Sequence, residues 1–312
     1  MLGHLSDIRV LMMTYNGGSY FESQLDSILC QKHLEGIRIY DDASTDDAFI
    51  AALKKCEATQ QVNVHFHARN MGVVENVKYG ILENLDANWL ALSDQDDLWE
   101  PQKFQMLVEI LDKLNKEVLT TPILVYHDMS LINEQDEKTA DSFWGMCRHR
   151  HHAHNLSTLL FENFVTGCTT VFNPILGQYI ATIPKHLDSY HDHWMALAAF
   201  SFGKVIKVDK CLNRYRKHAH NQAFGAIISQ DWRYRRRKNL YYLLHPKTHL
   251  KREFDIASAF FDIYGAQMAP IKRQIFEAFL SVKKATYLQQ VLFRRKVLAT
   301  YSSGLVVGVI NK

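Results

Sequence analysis

The sequence predicts an α/β fold, with a mixed, mainly parallel sheet flanked by helices and a basic, mainly helical C-terminal extension. Three observations predict it. Strand-like and helix-like segments alternate through the first hundred residues, as βαβ units do. Polar clusters follow three of the strand-like runs in that region. From Asp231 onward the pattern changes to long basic segments of helical period.

Residues 8–13 form an apolar run rich in strand formers, ended by Asn16-Gly17-Gly18. Ser19 and Glu22 have capping-box spacing, and Phe21, Leu25 and Ile28 share one face of the helix that follows. Residues 37–40 read as the second strand. Ser44 is the expected cap of a helix through residue 56, with Phe49, Leu53 and Cys56 inward. Residues 62–66 alternate as a third strand; Val74, Val77, Ile81 and Leu85 mark a helix; residues 89–92 are a fourth strand. After Pro101 a helix through residue 114 buries Phe104, Leu107, Ile110, Leu111 and Leu114. Residues 122–132 predict a strand pair, "RHRHHAH" (148–154) a solvated loop, 163–173 a strand or turn, and 190–200 a helix. A boundary near residue 225 divides the chain into 1–225 and 226–312.

At 312 residues and 47% apolar content the chain can bury a large core and is not a disordered sequence. Its net charge of +3 is small but unevenly placed: residues 210–252 carry twelve Lys or Arg against one acid, Asp231. That distribution implies an anionic neighbour. Five scattered cysteines with no C-x-x-C pair indicate neither a disulfide framework nor a zinc site from spacing. Reduced thiols in a cytoplasmic protein are the expectation. The opening residues have no secretory pattern, and no apolar run approaches the roughly 18–20 residues that span a bilayer.

In a parallel sheet ligands gather beyond the carboxyl ends of the strands. Asn16-Gly17-Gly18, Asp41-Asp42 and the acids of "SDQDD" (Asp94, Asp96, Asp97) should therefore meet at one edge. Carboxylates this close need a cation, a basic partner or water between them. Oxygen ligands suit Mg²⁺ or Mn²⁺, ions that often bind through one or two carboxylates and substrate phosphates. A solvated loop or a helix cap is the alternative.

"MTYNGGSYFESQLDSILCQ", "YDDASTDD" and "SDQDDLWEPQK" occur in that order, and as a set they resemble the family-2 glycosyltransferases, which have the GT-A fold. "GCTTVFN", "HDHW" and "YRKHAHN" further resemble members that transfer rhamnose or related deoxysugars in bacterial polysaccharide synthesis. The resemblance spans residues 8–225. It implies that Asp42, with Asp41 beside it, accepts a hydrogen bond from a uracil or thymine imide N–H, with Thr14, Tyr15 and Asn16 flanking the nucleotide. Asp94 would lie near ribose and metal, and Asp96 would contact the metal directly. His218 would complete the metal shell or touch the diphosphate. Asp97 is either an N-cap or a ligand. Asp192 matches the family's catalytic carboxylate. His191 stands where many relatives carry an acid, and would tune the base or contact the sugar. Gly167 and Cys168 match an acceptor-side turn, Trp194 is a sugar platform or core, and Arg216, with Arg214 and Lys217, is charged for phosphates.

The implied activity is inverting transfer of a sugar from a dTDP- or UDP-linked donor to a saccharide or lipid-linked glycan acceptor, with Mn²⁺ or Mg²⁺ as cofactor. L-rhamnose from dTDP-rhamnose is the first expectation; UDP-hexoses and UDP-N-acetylhexosamines follow. A sugar-phosphate nucleotidyltransferase is disfavoured because the N-terminal loop lacks a longer glycine- and arginine-rich triphosphate cradle. A non-catalytic nucleotide-sugar-binding partner is disfavoured by Asp94, Asp96 and Asp192. The extension mixes Arg with Trp, Tyr and Leu in "WRYRRRKNLYYLLH" and "LFRRKVL". Peripheral contact with the inner face of the cell membrane and ordinary solvated helices both fit that composition; nucleic-acid binding has no motif behind it.

Overall fold

The computed structural model describes residues 7–114, 120–147, 153–185, 187, 191–218, 241, 242, 244, 245 and 248–302. The chain divides into two compact units, one of Met1–Phe143 with Val165–Lys217 and one of Trp144–Phe164 with His218–Lys312. The expected boundary near 225 lies outside the described residues. A stretch inside the expected first domain, Trp144–Phe164, groups with the C-terminal region.

The first unit is built on a sheet of nine described strands in the order β3-β2-β1-β4-β8-β6-β9-β5, with β7 on β6. β1 (Ile8–Thr14), β2 (Leu34–Asp41), β3 (Val62–Phe66) and β4 (Trp89–Ser93) are mutually parallel. Helices α1 (Phe21–Leu29), α2 (Asp47–Cys56) and α3 (Val73–Leu82) connect them. The alternating pattern thus folds as βαβ units, and Ile8, Val10, Met12, Ile37, Ile39 and Trp89 sit in the core between sheet and helices.

Beyond β4 the sheet turns mixed. β6 (Ile123–Ile132) and β8 (Thr170–Phe172) are antiparallel, β6 and β9 (Lys204–Arg216) are parallel, and short β5 (Leu98–Trp99) runs antiparallel to β9. Residues 123–132 form one strand rather than the expected pair. All ten are buried in one continuous strand; the hairpin partner is β7 (Lys138–Ala140), past the turn at Asn133.

Two expected caps are corrected. Ser19 lies in a 3-10 turn (Gly18–Tyr20), and Tyr20 precedes α1 without any side-chain cap. Asp46, not Ser44, caps α2 by accepting from the Phe49 N–H at 2.9 Å. A carboxylate is the better partner for a helix N-terminus, where charge and orphan N–H groups coincide. Ser44 is thereby released for other work. The fourth helix, α4 (Lys103–Leu111), buries the predicted stripe of Phe104, Leu107 and Leu111, and also Lys103.

In the second unit three long helices, Lys251–Tyr264, Pro270–Ser281 and Tyr287–Ser302, account for the expected helical extension. The inserted segment joins them through aromatic packing: Phe161 meets Phe279 edge-on at 5.0 Å between ring centres. His154, the last histidine of "RHRHHAH", stacks on Phe164 at 4.1 Å; residues 148–152 of that motif lie outside the described residues. No described helix is long and apolar enough to cross a membrane.

Candidate active site

Strand register brings the three polar clusters together. Thr14 pairs with Asp41 across β1 and β2, and Met12 with Ser93 across β1 and β4, so Asn16, Asp42 and Asp94 emerge at one level. Side chains then stitch the loops. Asn16 adopts the left-handed region (φ 47°), its N–H donates to Ser44 Oγ at 2.8 Å, and its Oδ1 accepts from the Thr45 N–H at 2.9 Å and the Asp46 N–H at 3.2 Å. Tyr15 and Gln95 exchange two bonds: the Tyr15 N–H donates to Gln95 Oε1 at 2.9 Å, and Gln95 Nε2 donates back to the Tyr15 carbonyl at 3.1 Å. Gly17 is required beside them, since a Cβ there would fall 2.7 Å from Gln95 Oε1 and from Phe49.

Asp41 and Asp42 do different jobs, and neither caps α2. Asp41 is buried and accepts from Thr14 Oγ1 (3.1 Å), the Ser44 N–H (2.8 Å) and Ser44 Oγ (2.6 Å). Asp42 accepts from the Met71 and Gly72 N–H groups at 2.7 and 2.8 Å, tying the loop before α3 to the end of β2. Tyr15 stays 45% exposed above this edge, an aromatic face open to a planar ligand.

The acidic loop rests on a buried cation. Lys103 is fully buried, donates to the Cys168 carbonyl at 3.2 Å and to Asn213 Oδ1 at 2.9 Å, and lies 3.5 Å from the Trp99 ring centre. Burial pushes its ammonium down to about 7, against the opposing pull of Asp97 and Asp94. The Asp94 carboxyl is pushed up to about 7, first by desolvation and then by the charge of Asp96. Asp97 is fully buried, and burial followed by Asp96 raises it well above the usual carboxylate range. Its Oδ1 accepts from the Arg216 N–H at 3.2 Å, and the Cys168 thiol, held well above its usual range by burial, bonds to the same carboxylate. Asp97 caps no helix: Gln102 precedes α4 and makes no side-chain cap.

Of the acids and thiols described, Asp94, Asp97 and Cys168 offer ligand atoms within 4.8 Å of one another. Asp96 acts on both carboxyls by charge. Gly167 and Cys168 lie in a 3-10 turn (Gly167–Thr169) leading into β8. His191 and Asp192 begin α5 (His191–Phe202), where Asp192 Oδ1 accepts from the His193 N–H at 2.6 Å; its charge reaches Asp94. Burial holds the His191 imidazole down at about 4, and a Cβ at position 167 would lie 2.6 Å from its Nε2.

Two expected contacts are corrected. Trp194 is 0% exposed and spends its indole N–H on the Tyr179 carbonyl at 3.0 Å, so it is core and not a sugar platform. Arg216 is 1% exposed and already engaged. Its Nε donates to the Asp96 carbonyl at 2.9 Å, Nη1 reaches the Asn133 carbonyl at 3.3 Å and pairs with Asp136, and Tyr20 stacks on it at 4.4 Å. The guanidinium braces the acidic loop instead of facing a phosphate. Arg214 is paired with Glu100. His218 belongs to the second unit, and His220 lies outside the described residues. Sequence reading assigned no role to Gln95, Lys103 or Asn213, and gave Ser44 only that of a helix cap. Lys103 was visible as the last residue of the quoted "SDQDDLWEPQK" element, but nothing local marks it as buried.

Comparison with known proteins fits this arrangement. Residues 9–174, more than half the chain, match the profile of glycosyl transferase family 2. The chain is 26% identical over 270 residues to the dTDP-rhamnosyl transferase RfbG of Shigella flexneri, covering 80% of this chain and 85% of that one. It is 28% identical over 192 residues to an uncharacterised glycosyltransferase of Rickettsia typhi, covering 60% of this chain. It spans 56% of that relative and 64% of a Rickettsia prowazekii one. Among solved structures, S. aureus TarS (residues 1–349) is similar with a TM-score of 0.56 at 14% identity, covering 97% of this chain and 93% of that one. The Pyrobaculum calidifontis mannosyltransferase PcManGT, solved with GDP-Man and Mn²⁺, has a TM-score of 0.53 at 14% identity, covering 96% and 76%. The fold is GT-A, its strand-end acids stand where the matched profile runs, and the chain belongs to glycosyl transferase family 2.

Proposed function

We propose that this chain is an inverting glycosyltransferase that moves a sugar from a nucleotide diphosphate donor to a saccharide or lipid-linked glycan acceptor in bacterial cell-surface polysaccharide synthesis. The supporting observation is the shared level of Asn16, Asp42 and Asp94 at the carboxyl edge of one parallel sheet. dTDP-rhamnose is the proposed donor, on the likeness to the Shigella rhamnosyl transferase. A UDP-N-acetylhexosamine is the second reading, since TarS was solved with UDP-GlcNAc.

In this reading Tyr15 offers its open face to the base, and Asp42 keeps lone pairs for the imide N–H beyond the two backbone donors it already holds. Asp94 and Asp96 are the proposed holders of Mg²⁺ or Mn²⁺. Desolvation and the charge of Asp96 raise the Asp94 carboxyl, as crowded carboxylates do where no cation lies between them. When bound, such an ion stabilises charge on the departing diphosphate. Asp192, at the start of α5, takes the acceptor hydroxyl proton as that oxygen attacks the anomeric carbon from the face opposite the diphosphate. The Gly167–Thr169 turn lines the acceptor side. Donor binding and catalysis are assigned to the unit of Met1–Phe143 with Val165–Lys217, and the C-terminal residues form the basic extension. Peripheral contact of that extension with the inner membrane face is part of the same proposal.

Thermal shift against a panel of nucleotide sugars tests the donor, because a ligand that binds only the native state raises apparent stability. Transfer assays with Mn²⁺ and with chelator test the metal. If Asp192→Asn binds donor but loses transfer by about 10²–10⁴-fold, the base assignment holds. Full activity in that variant removes it.

A further inference from the structure

Residues 65 and 67 are both histidines, at the end of β3, the outer strand of the sheet. The strand period of two sends both side chains to one face. Their ring centres lie 4.7 Å apart with the planes at 69°. Tyr79, on α3, meets the two rings at 5.0 and 4.8 Å. Both histidines are half-buried, so solvent reaches the pair.

The tautomer of His67 is fixed by its surroundings. Asn76 spends its Nδ2 on the Tyr40 carbonyl at 2.9 Å, so its Oδ1, 3.0 Å from His67 Nε2, must accept. The His67 proton is therefore on Nε2, and Nδ1 of the neutral ring is a bare lone pair. An acceptor behind the far ring nitrogen is how proteins orient and polarise metal-ligating histidines. No described residue hydrogen-bonds to that Nδ1 or to the His65 ring. Burial, and then the charge of His67, lowers the His65 imidazole, which leaves a lone pair there as well.

We propose that His65 and His67 form a two-imidazole site for a divalent ion of tetragonal preference, Cu²⁺ or Ni²⁺, taken in preference to Mg²⁺ or Mn²⁺. Metal–nitrogen bonds of about 2.0–2.1 Å put two ring centres about 4.5 Å apart at a right angle and about 5.2 Å apart at the tetrahedral angle. The observed 4.7 Å is nearer the first, and tetragonal nitrogen–oxygen shells suit Cu²⁺ and Ni²⁺. Among the described residues the pair belongs to no cluster of three His, Cys, Asp or Glu ligand atoms, so the protein supplies two ligands and water the rest. Each ring gives the lone pair of its unprotonated nitrogen, and no proton leaves. The His67 N–H donates to the Asp41 carbonyl at 2.9 Å, and the loop from His67 to Gly72 supplies both N–H groups that hold Asp42. An ion here braces that strand end without using any acid of the 94–97 loop. The site stands whether or not the chain transfers sugar.

Pulsed EPR of the full chain with one equivalent of Cu²⁺, without donor, tests it. The expected spectrum is a copper centre with two equatorial imidazoles, unmoved by hundredfold excess Mg²⁺. His65→Gln and His67→Gln each cut the count to one and weaken Cu²⁺ binding at least tenfold, while His245→Gln changes neither. Fewer than two imidazoles in the wild-type chain, or a two-imidazole centre that survives either substitution, overturns the proposal. Should those variants fail to fold, Cu²⁺ broadening in the NMR spectrum of the [¹⁵N]histidine-labelled wild-type chain decides. Early loss of the His65 and His67 ring signals supports the site, and their persistence overturns it. A chain that shows this centre yet transfers nothing refutes only the proposed function. One that transfers sugar yet leaves both rings untouched by Cu²⁺ refutes only this site.

Discussion

Lys103 Nζ lies 2.9 Å from Asn213 Oδ1, and both side chains donate to the Cys168 carbonyl, at 3.2 and 2.7 Å. The pair joins the start of α4 to β9 and pins the turn that enters β8. It also sets a buried cation behind the acidic loop.

Replacing Lys103 with Met keeps the stem and removes the charge, leaving Asp97 buried without its counter-ion. Loss of one partner of a buried charge system costs about 3–5 kcal/mol. Asn213→Ala, which removes one bond from the Lys103 ammonium and one to the Cys168 carbonyl, costs about 1–3 kcal/mol. Urea denaturation of both variants and of the double variant should show a double effect smaller than the sum, because the two share one carbonyl.

Gly167→Ala drives a methyl to 2.6 Å from His191 Nε2. Overpacking of this kind costs about 1–3 kcal/mol. His191→Ala in the same chain removes the obstacle, so the double variant should recover stability relative to Gly167→Ala alone. If thermal denaturation shows no such recovery, the close approach of position 167 to His191 is not what limits it.

The pH dependence of stability should contain opposing parts. Burial lowers His191 to about 4 and His127 well below its usual value, so the unfolded chain binds those protons first. Their stabilisation is present above about pH 6.5 and is lost as pH falls toward 4. Asp94 is raised to about 7, so its contribution is present below about pH 4 and lost as pH rises through 7. Urea midpoints across pH 4–8 should therefore fall more steeply on acidification in Asp94→Asn than in wild type. His191→Gln should flatten the same limb by about one proton.

Arg216→Lys separates bracing from phosphate binding. Lysine cannot reproduce a donation to the Asp96 carbonyl together with contacts to Asn133 and Asp136. The expected outcome is a stability loss of about 1–3 kcal/mol in urea denaturation. A variant of full stability with weakened nucleotide-sugar binding would return Arg216 to the phosphates.

Much of this protein was legible in one dimension. Local periodicity placed β1 to β4 and the helices between them, because apolar residues must face the same core whichever neighbours arrive. The acids of "SDQDD", Asn16 and Asp41-Asp42 were recognisable as strand-end loops, since parallel strands put their carboxyl ends on one side. Tertiary structure alone decided what each polar residue touches. Lys103 carried no reading of its own, and Arg216 read as a phosphate ligand; burial and partners from distant segments made one a counter-ion and the other a brace. The segment Trp144–Phe164 joins the C-terminal helices for a similar reason. Its aromatic partners lie more than a hundred residues away, where no local period can register them.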